Sequence, residues 1–254
     1  MRIAGMTAVV TGAGSGLGAA TARHLSSQGA QVACLDRSVE AAEEVARHIN
    51  GIAIAADVSD PVAVEAAFSR AEAEYGVPRI VVSCAGVGTA SRILPRDGAL
   101  TIDAFEHTLR VNLLGTYTVM NIAARAMAAA EPVDPDGARG VIINTASVAY
   151  EDGQIGQAAY AASKGGVASM TLPAARELAR VGIRVMTIAP GLFETAMSAG
   201  LPDDVRADIL KNVPFPSRMG LPEEYAQLVE QIVENSMLNG TVIRLDAAAR
   251  MPIK

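Results

Sequence analysis

A glycine-rich turn, Thr11–Gly18, constrains the fold of this chain more than any other stretch. An apolar run at residues 6–11 leads into it, a helical pattern follows from about 15 to 28, and a second apolar run ends at Asp36. Glycines let a backbone turn sharply and approach a phosphate group at the N-terminus of the next helix. The order of strand, turn, helix and strand therefore predicts a βαβ unit, with a glycine-rich turn that binds nothing as the alternative.

The glycines of this turn follow the spacing Gly-x-x-x-Gly-x-Gly, counted from Gly12, and not the more familiar Gly-x-Gly-x-x-Gly. The physical requirement is the same, because both patterns let main-chain N–H groups face a phosphate. We therefore expect the turn to hold the pyrophosphate of a dinucleotide, through Gly12, Ser15, Gly16, Leu17 and Gly18.

Two acidic residues follow the next strands and indicate where the rest of the dinucleotide lies. Asp36 ends the second strand, where a carboxylate can accept hydrogen bonds from both ribose hydroxyls and repel a 2′-phosphate, which favours NAD over NADP. Arg37 is the contrary residue, since a basic side chain there can serve NADP. Asp57 and Val58 end the third strand and are expected to flank the adenine, with an ordinary loop acid as the alternative.

Strands and helices alternate along the rest of the chain. Further strands are predicted at 52–55, 79–83, 140–145, 183–189 and 241–245. Further helices are predicted from Asp60-Pro61 onward and at about 38–49, 102–129, 157–180 and 222–234. Nearly all-apolar strands that alternate with helices predict an α/β protein with a doubly wound (Rossmann), mostly parallel seven-stranded sheet and helices on both faces. The composition shows no linker-like change, so we expect a single domain over residues 1–254.

Composition narrows the partners and the compartment. Half of the 254 residues are hydrophobic, yet no run approaches the roughly 18 apolar residues of a membrane span. The net charge of −6 argues against nucleic-acid binding. Cys34 and Cys84 fall in strands expected to flank the first strand, roughly 10 Å apart and too far for a disulfide. Two reduced thiols and an N-terminus without a signal pattern favour a cytoplasmic location.

Four polar residues suggest chemistry. Tyr160 and Lys164 stand four apart on a predicted helix, so the ammonium lies near the phenol, lowers its pKa and prepares it for proton exchange with an alcohol. A surface pair is the alternative.

Asn112 in an apolar helix is either a core anchor or part of a proton relay. Ser147 follows a strand and is either a turn cap or a ligand-facing hydroxyl, and no Gly-x-Ser-x-Gly elbow supports a serine hydrolase. The three histidines have no metal-ligand spacing, so no metal site is predicted.

These residues, with Cys84-Ala85-Gly86 and Pro190-Gly191, stand in the order and spacing of the short-chain dehydrogenase/reductases, which the chain resembles over nearly its whole length. It is similar to the type II 3-hydroxyacyl-CoA dehydrogenases in the segments 140–149, 156–166, 170–178, 182–197, 213–220 and 238–246. Two departures are Ser83, where many members have asparagine, and the segment 150–152 near the expected substrate mouth.

The resemblance implies a role for each site residue. Tyr160 would be the general base, Lys164 would lower its pKa and hold the nicotinamide ribose, and Ser147 would bind the substrate oxygen. Asn112 would hold a water that links Lys164 to solvent. Further residues are implied to line the cofactor, namely Cys84, Ala85, Gly86, Pro190, Gly191, Phe193 and Thr195. A substrate lid is expected within 192–217, with plain packing as the alternative for its apolar members Phe193, Met197, Leu201 and Phe215.

The activity that the resemblance implies is hydride transfer between NAD and a secondary alcohol, above all a 3-hydroxyacyl-CoA of fatty acid metabolism. Alternatives are a hydroxysteroid dehydrogenase, a 3-oxoacyl-acyl-carrier-protein reductase and a catalytically silent dinucleotide-binding scaffold. The partner would then be a small molecule, with Arg92 or Arg96 as candidates for contact with the CoA phosphates. The family also implies a homotetramer.

Overall fold

Seven strands form one sheet in the computed structural model, which describes residues 1–195 and 210–253. The strands are β1 (Thr7–Thr11), β2 (Gln31–Asp36), β3 (Ile52–Ala55), β4 (Pro78–Ser83), β5 (Gly140–Thr145), β6 (Ile183–Pro190) and β7 (Val242–Leu245). Their order is β3–β2–β1–β4–β5–β6–β7, and every neighbouring pair is parallel. The predicted fold class is confirmed, whereas the single domain over residues 1–254 stays a prediction.

Helices cover both faces of this sheet. They are α1 (Gly16–Ser27), α2 (Val39–Ile49), α3 (Pro61–Tyr75), α4 (Ile102–Leu109), α5 (Gly115–Ala128), α6 (Ala158–Leu178) and α7 (Pro222–Glu234). Successive residues of a strand point to opposite faces. Val10 of β1 accordingly belongs to the same apolar cluster as Leu25 of α1, whereas Val9 belongs to the cluster that contains Phe68 of α3. None of the described helices combines the length and apolarity needed to cross a membrane.

Two of the helices, α2 and α3, begin at residues whose side chains cap them. The Asp60 carboxylate accepts hydrogen bonds from the main-chain N–H groups of Val62 and Ala63, at 2.9 and 3.3 Å, and Pro61 takes the first position of α3. Ser38 caps α2 by accepting from the Ala41 N–H. The predicted helix start at Asp60-Pro61 is thereby confirmed.

The helix predicted at about 102–129 is continuous but not regular. Between α4 and α5, Arg110–Leu114 form a π-helical segment that contains the fully buried Asn112. A π-helical turn takes in one residue more than an α-helical turn and shifts the main-chain hydrogen bonds. The Thr116 hydroxyl donates to the Asn112 carbonyl at 2.7 Å. The predicted long helix is confirmed over Ile102–Ala128, but the apolar pattern did not reveal the π-helical turn inside it.

The strand order reverses between β1 and β4. From β1 the chain moves outward to β2 and β3, and it then returns to place β4 on the other side of β1. In doubly wound sheets, ligands bind outside the carboxyl ends of the strands at such a reversal. Each turn that the sequence singled out follows a strand at this edge, so the fold gathers the predicted site residues in one crevice.

Candidate active site

The turn after β1 is closed by contacts that only glycine permits. Gly12 has a φ of +64°, and a Cβ there would lie 2.8 Å from the main-chain nitrogen of Ala85. A Cβ on Gly18 would lie 2.1 Å from the Gly12 carbonyl oxygen. Among the described residues, Ser15 makes no side-chain capping bond to α1, so the helix N-terminus keeps main-chain N–H groups for an anion. Leu17 packs against the core behind the turn.

Asp36 supports the same turn from the end of β2. One carboxylate oxygen accepts from the Gly14 N–H at 2.9 Å, and the other accepts from the Ser38 N–H at 3.0 Å. A carboxylate oxygen has lone pairs for more than one donor, so these two bonds orient the group and leave it able to accept from a ribose. Arg37 beside it is exposed to solvent.

Asp57 and Val58, predicted to flank the adenine, have different surroundings. Asp57 accepts from the main-chain N–H and the hydroxyl of Ser59, at 2.8 and 2.7 Å, and these bonds lower the pKa of its carboxyl group. The side chain of Val58 is buried against the start of α5, where a Cβ on Gly115 would lie 2.7 Å from it. The Val58 side chain is thus a packing group, and the adenine-flanking role of both residues stays a prediction.

The segment Cys84-Ala85-Gly86 follows β4 and lies beside the first turn. The Ala85 N–H donates to the Thr11 hydroxyl at 3.2 Å, and Gly86 is exposed in the crevice. A Cβ on Gly86 would lie 3.1 Å from Asn112 Oδ1 and 3.5 Å from Lys164 Nζ. The segment therefore stands between the glycine-rich turn and the predicted catalytic residues. Both cysteines are free thiols.

Ser147 and Tyr160 are brought together by β5 and α6. The Ser147 hydroxyl lies close enough to the phenol of Tyr160 to favour its phenolate form. Ser147 also caps the short 3₁₀ helix Val148–Tyr150 by accepting from the Ala149 N–H at 3.2 Å. The two interpretations of Ser147, a turn cap and a ligand-facing hydroxyl, are thus both compatible with its position. A substrate oxygen placed between the two hydroxyls would meet both.

Lys164 lies behind this pair in the protein interior. Its side chain is 5% exposed, and Nζ donates to the Thr145 carbonyl at 2.9 Å and stands 5.8 Å from the centre of the Tyr160 ring. Burial penalises the ammonium and lowers the pKa of Lys164 from 10.5 to about 8. The surface-pair alternative for Tyr160 and Lys164 is therefore wrong.

The predicted lowering of the Tyr160 pKa is also wrong in net direction for this structure. Burial raises the pKa of Tyr160, and the neighbouring Ser147 hydroxyl opposes this shift without cancelling it. The physical reason is that desolvation acts on the whole phenolate, and an ammonium 5.8 Å from the ring centre does not offset it. Spacing along a helix gives proximity, but it does not give the balance between burial and charge.

Asn112 fastens two elements of the site to the π-helical segment. Its Oδ1 accepts from the Val87 N–H at 2.8 Å, and its Nδ2 donates to the Val87 carbonyl at 3.0 Å and to the Ser163 hydroxyl at 3.1 Å. The carboxamide thus holds the chain after Gly86 and the helix that carries Tyr160. The anchor interpretation holds, and the water-holding role stays a prediction.

The residues after β6 complete the crevice. Pro190 ends β6, the Gly191 N–H donates to the Leu245 carbonyl at 2.9 Å, and a Cβ on Gly16 would lie 3.3 Å from the Thr195 side chain. Thr195 therefore lies near the N-terminus of α1, as a cofactor-lining residue would.

The predicted lid is described only in part. Phe193 is 8% exposed and packs in the core against Gly220, whereas Phe215 is 84% exposed. Phe193 is therefore a packing residue, as the alternative held. Met197 and Leu201 lie outside the described residues.

A cavity of about 420 Å³ opens at the N-terminal turn of α6, next to Ala161, and neither Ser147 nor Tyr160 is among its lining residues. Its walls are the irregular stretch Ser91–Leu94 and the segment Gly153–Ala158, with Ala161 of α6 at its base. Arg92 is one of the lining residues, whereas Arg96 is not among them. The Ser91 N–H donates to the Gly156 carbonyl at 2.8 Å and ties the two walls together. Within residues 1–195 and 210–253, no group of three or more His, Cys, Asp or Glu side chains is arranged to hold a metal.

Sequence reasoning missed a buried group beneath Lys164. The Tyr225 hydroxyl of α7 lies 2.7 Å from the Thr145 hydroxyl, and Cys84 Sγ lies 3.7 Å from both. Tyr225 is fully buried, and burial raises its pKa well above the ordinary value. Its position in an apolar helix pattern was the one available signal. The Cys84 side chain thus faces this group, and its main chain faces the crevice.

Replacing Lys164 with methionine is expected to stabilise the cofactor-free protein at pH 7. At pH 7, keeping Lys164 charged in the interior, where its pKa has fallen from 10.5 to about 8, costs about 3 kcal/mol of folding free energy. Methionine avoids this cost, but it loses the hydrogen bond to the Thr145 carbonyl, which offsets about 1–2 kcal/mol of the gain. We therefore expect Lys164→Met to raise the free energy of unfolding by about 1–2 kcal/mol, measured by urea denaturation.

The pH dependence checks the cause of this gain. Between pH 8 and 10.5 the unfolded chain binds more protons at Lys164 than the folded chain, so wild-type stability rises with pH in that window. The advantage of Lys164→Met should therefore shrink between pH 7 and pH 9.5. A variant that is less stable at pH 7, with a difference that does not change with pH, would contradict the explanation.

The fold and the site define a class of protein. The family model described as short chain dehydrogenase matches residues 6–206, and the chain belongs to this family and is an oxidoreductase. It is 51% identical to the 3-hydroxyacyl-CoA dehydrogenase type-2 of Bos taurus and 49% identical to that of Homo sapiens, over 98% of this chain and 97% of each relative. The crystal structure of 3-hydroxyacyl-CoA dehydrogenase type-2 from Mycobacterium avium matches with a TM-score of 0.94 at 39% identity, covering 98% of both chains. The predicted resemblance is confirmed.

Membership in this family implies a nicotinamide dinucleotide as cofactor, and the residues present fit one. The turn at Gly12 and Gly18 has no room for a Cβ, which is what a close main-chain approach to a pyrophosphate requires. Asp36 stands at the end of the next strand, and the Ser147–Tyr160 pair lies across the crevice from it. The crevice can therefore hold both ends of the dinucleotide.

Proposed function

We propose that this oxidoreductase interconverts 3-hydroxyacyl-CoA and 3-oxoacyl-CoA with NAD. The observation that carries the proposal is the pair of neighbouring hydroxyl groups on Ser147 and Tyr160, with the buried Lys164 behind it. Such a pair suits a secondary alcohol, whose oxygen needs one group to take its proton and another to hold it. The substrate class is supported by the relatives at 51% and 49% identity, which are named 3-hydroxyacyl-CoA dehydrogenase type-2.

The roles of the side chains follow from their positions. The dinucleotide, when bound, accepts or returns a hydride at its nicotinamide ring. Tyr160 takes the hydroxyl proton in one direction and returns it in the other. Ser147 donates to the substrate oxygen and stabilises the negative charge that develops on it. Lys164 supplies positive charge behind Tyr160, and Asn112 holds α6 and the chain after Gly86 in register.

The cavity at the N-terminal turn of α6 supports a substrate with an extended acyl group and an anionic end. Ile93 and Leu94 are 84% and 80% exposed at its wall, where they can cover an acyl chain, and Arg92 lines the same wall. An arginine recognises phosphate through charge-assisted hydrogen bonds. Arg92 is therefore our candidate for the CoA phosphates, in preference to Arg96.

The substrate proposal is tested by NADH oxidation with acetoacetyl-CoA, followed as loss of NADH absorbance. We expect turnover with the thioester and a higher KM for Arg92→Ala, with little change for Arg96→Ala. Turnover of a hydroxysteroid without turnover of acetoacetyl-CoA would replace the proposal with the steroid alternative. Turnover of an acyl-carrier-protein thioester alone would replace the proposal with the 3-oxoacyl-acyl-carrier-protein reductase.

Replacing Asp36 with alanine is expected to relax the preference for NAD over NADP. The carboxylate stands at the ribose end of the crevice, where it would repel a 2′-phosphate, and Arg37 beside it would then be free to attract one. We expect the ratio of kcat/KM for NADH over NADPH to fall by about 10–100-fold, on the order of 1–3 kcal/mol. Glu40→Ala, which removes another acid near this turn, is the control and should leave the ratio unchanged.

We also propose that the protein forms a homotetramer, as the family implies. Leu114 and Tyr117 on the long helix and Leu172 on α6 are 50%, 51% and 44% exposed, which supports association through these helices. Light scattering coupled to size-exclusion chromatography tests it, and a monomeric mass would refute it. The cytoplasmic location and the role in fatty acid metabolism stay predictions.

A further inference from the structure

One arginine near the end of the chain binds carboxylates from its own segment and from a segment much earlier in the sequence. Arg244 of β7 makes ion pairs with Glu151 at 2.6 Å, with Asp152 at 2.6 Å and with Asp246 at 2.8 Å. It also donates to the Ala249 carbonyl at 3.2 Å. The side chains of Arg244, Asp152 and Asp246 are 16%, 14% and 9% exposed, so this is not a solvated surface pair. Glu151 is 52% exposed and the other three side chains are partly buried, and charges in such a group depend on one another more than those of solvated surface pairs do.

Two of the three acids that Arg244 holds, Glu151 and Asp152, lie in sequence between Ser147 and Tyr160. Glu151 and Asp152 directly follow the 3₁₀ helix that Ser147 caps, and the chain then continues to Tyr160. β7 also contributes the Leu245 carbonyl that accepts from Gly191. One strand therefore connects the segment after Ser147 with the segment after β6.

The C-terminal residues fasten the same segment a second time. The Ile155 N–H donates to the Ile253 carbonyl at 3.1 Å, and Gln154 Nε2 donates to the Pro252 carbonyl at 3.2 Å. Residues 153–158 form one wall of the cavity at the N-terminal turn of α6, the helix that carries Tyr160. The wall is thus held on one side by α6 and on the other by β7 and the C-terminal residues, which follow it by some ninety residues in sequence. Arg244 provides the charged contact between β7 and this wall.

We propose that Arg244 is a positioning residue for the substrate, which fixes the wall formed by residues 151–158 against β7. The identity of the substrate rests on the proposed function, but the tether itself does not. Because the dinucleotide crevice lies on the other side of Ser147 and Tyr160, loss of Arg244 should weaken binding of the substrate and leave binding of NADH intact.

The test compares Arg244→Gln and Arg244→Lys with Arg250→Gln. Arg250 pairs with Asp246 at 3.3 Å but has no ion pair with Glu151 or Asp152 among the described residues, so it is a matched control. For both Arg244 variants we expect the KM for acetoacetyl-CoA to rise at least tenfold, with the dissociation constant of NADH within twofold of wild type. Lysine should not rescue, because an ammonium cannot span three carboxylates as a guanidinium fork does. Arg250→Gln should match wild type.

A double variant distinguishes the loss of the Arg244 tether from the destabilisation caused by leaving carboxylates unpaired. Arg244→Gln leaves Asp152 and Asp246 without their shared cation, which can destabilise the fold. Arg244→Met combined with Asp152→Asn removes most of that imbalance, and it should recover thermal stability while keeping the raised KM. If the double variant recovers the wild-type KM, or if NADH affinity falls in parallel with substrate affinity, the proposal is overturned.

Hydrogen exchange provides an outcome that does not depend on the substrate. Main-chain amides of residues 151–157 should exchange faster in Arg244→Gln than in wild type, and Arg250→Gln should leave them unchanged. Unchanged exchange in Arg244→Gln would overturn the tether. A wild-type protein that does not turn over acetoacetyl-CoA would instead reject the proposed function, with the exchange result still deciding the role of Arg244.

Discussion

Tyr160→Phe is expected to lower kcat by about 10²–10⁴-fold, the usual contribution of a positioned general acid or base. The substitution removes only the phenolic oxygen beside Ser147, and it leaves the ring in its packing position. We therefore expect the dissociation constant of NADH, measured by fluorescence titration, to stay within about twofold of wild type. The loss would then lie in the chemical step.

Tyr117→Phe is the matched control for this experiment. Tyr117 lies on α5 and is 51% exposed, so removal of its hydroxyl should leave kcat unchanged. If Tyr160→Phe kept near wild-type turnover, another group would have to move the proton and the assignment would fail. A parallel loss of NADH affinity would point to a structural role for Tyr160.

Gly18→Ala is expected to abolish measurable NADH binding, with a dissociation constant raised at least about 100-fold. The new Cβ would lie 2.1 Å from the Gly12 carbonyl oxygen and 2.6 Å from its carbon. Both are main-chain atoms, so no side chain can move aside to make room. The turn must open, which displaces the N–H groups at the start of α1 and lowers the free energy of unfolding by about 1–3 kcal/mol.

Gly165→Ala provides the comparison, because a Cβ on Gly165 meets nothing within 4 Å. Alanine favours a helix over glycine by about 0.5–1 kcal/mol, so this variant of α6 should bind NADH normally and unfold at a slightly higher urea concentration. The same chemical change would then give opposite results at two positions of one protein. If Gly18→Ala bound NADH like wild type, the cradle at Gly12–Gly18 would not hold the pyrophosphate.

Features that depend on neighbours in sequence were predictable. Strand and helix bounds followed from apolar periodicity and from caps such as Asp60. The glycine-rich turn and Asp36 predicted where the dinucleotide crevice lies. Parallel strands place their carboxyl ends at one edge, so order along the chain was enough to bring Ser147 near Gly12.

Features that depend on tertiary balance were not predictable. The pKa of Tyr160 required knowledge of burial, which raises it by more than the neighbouring Ser147 hydroxyl lowers it. The partners of Arg244 lie 92 and 93 residues away, and the partner of Thr145 lies 80 residues away. No spacing rule reaches across such separations. They arise because β7 and α7 return to the sheet beside elements formed much earlier in the chain.

The π-helical segment Arg110–Leu114 changes which way the long helix faces. One residue advances an α-helix by roughly 100°, so an inserted residue rotates everything before it relative to everything after it. α4 can then turn its apolar side to α6, while α5 turns its own side to α3 and β4. A homologue with a single residue deleted at Asn112 would have one straight helix and would have to give up one of these two neighbours. The π-helical turn therefore lets the first half of the long helix pack against α6 and the second half pack against α3 and the sheet.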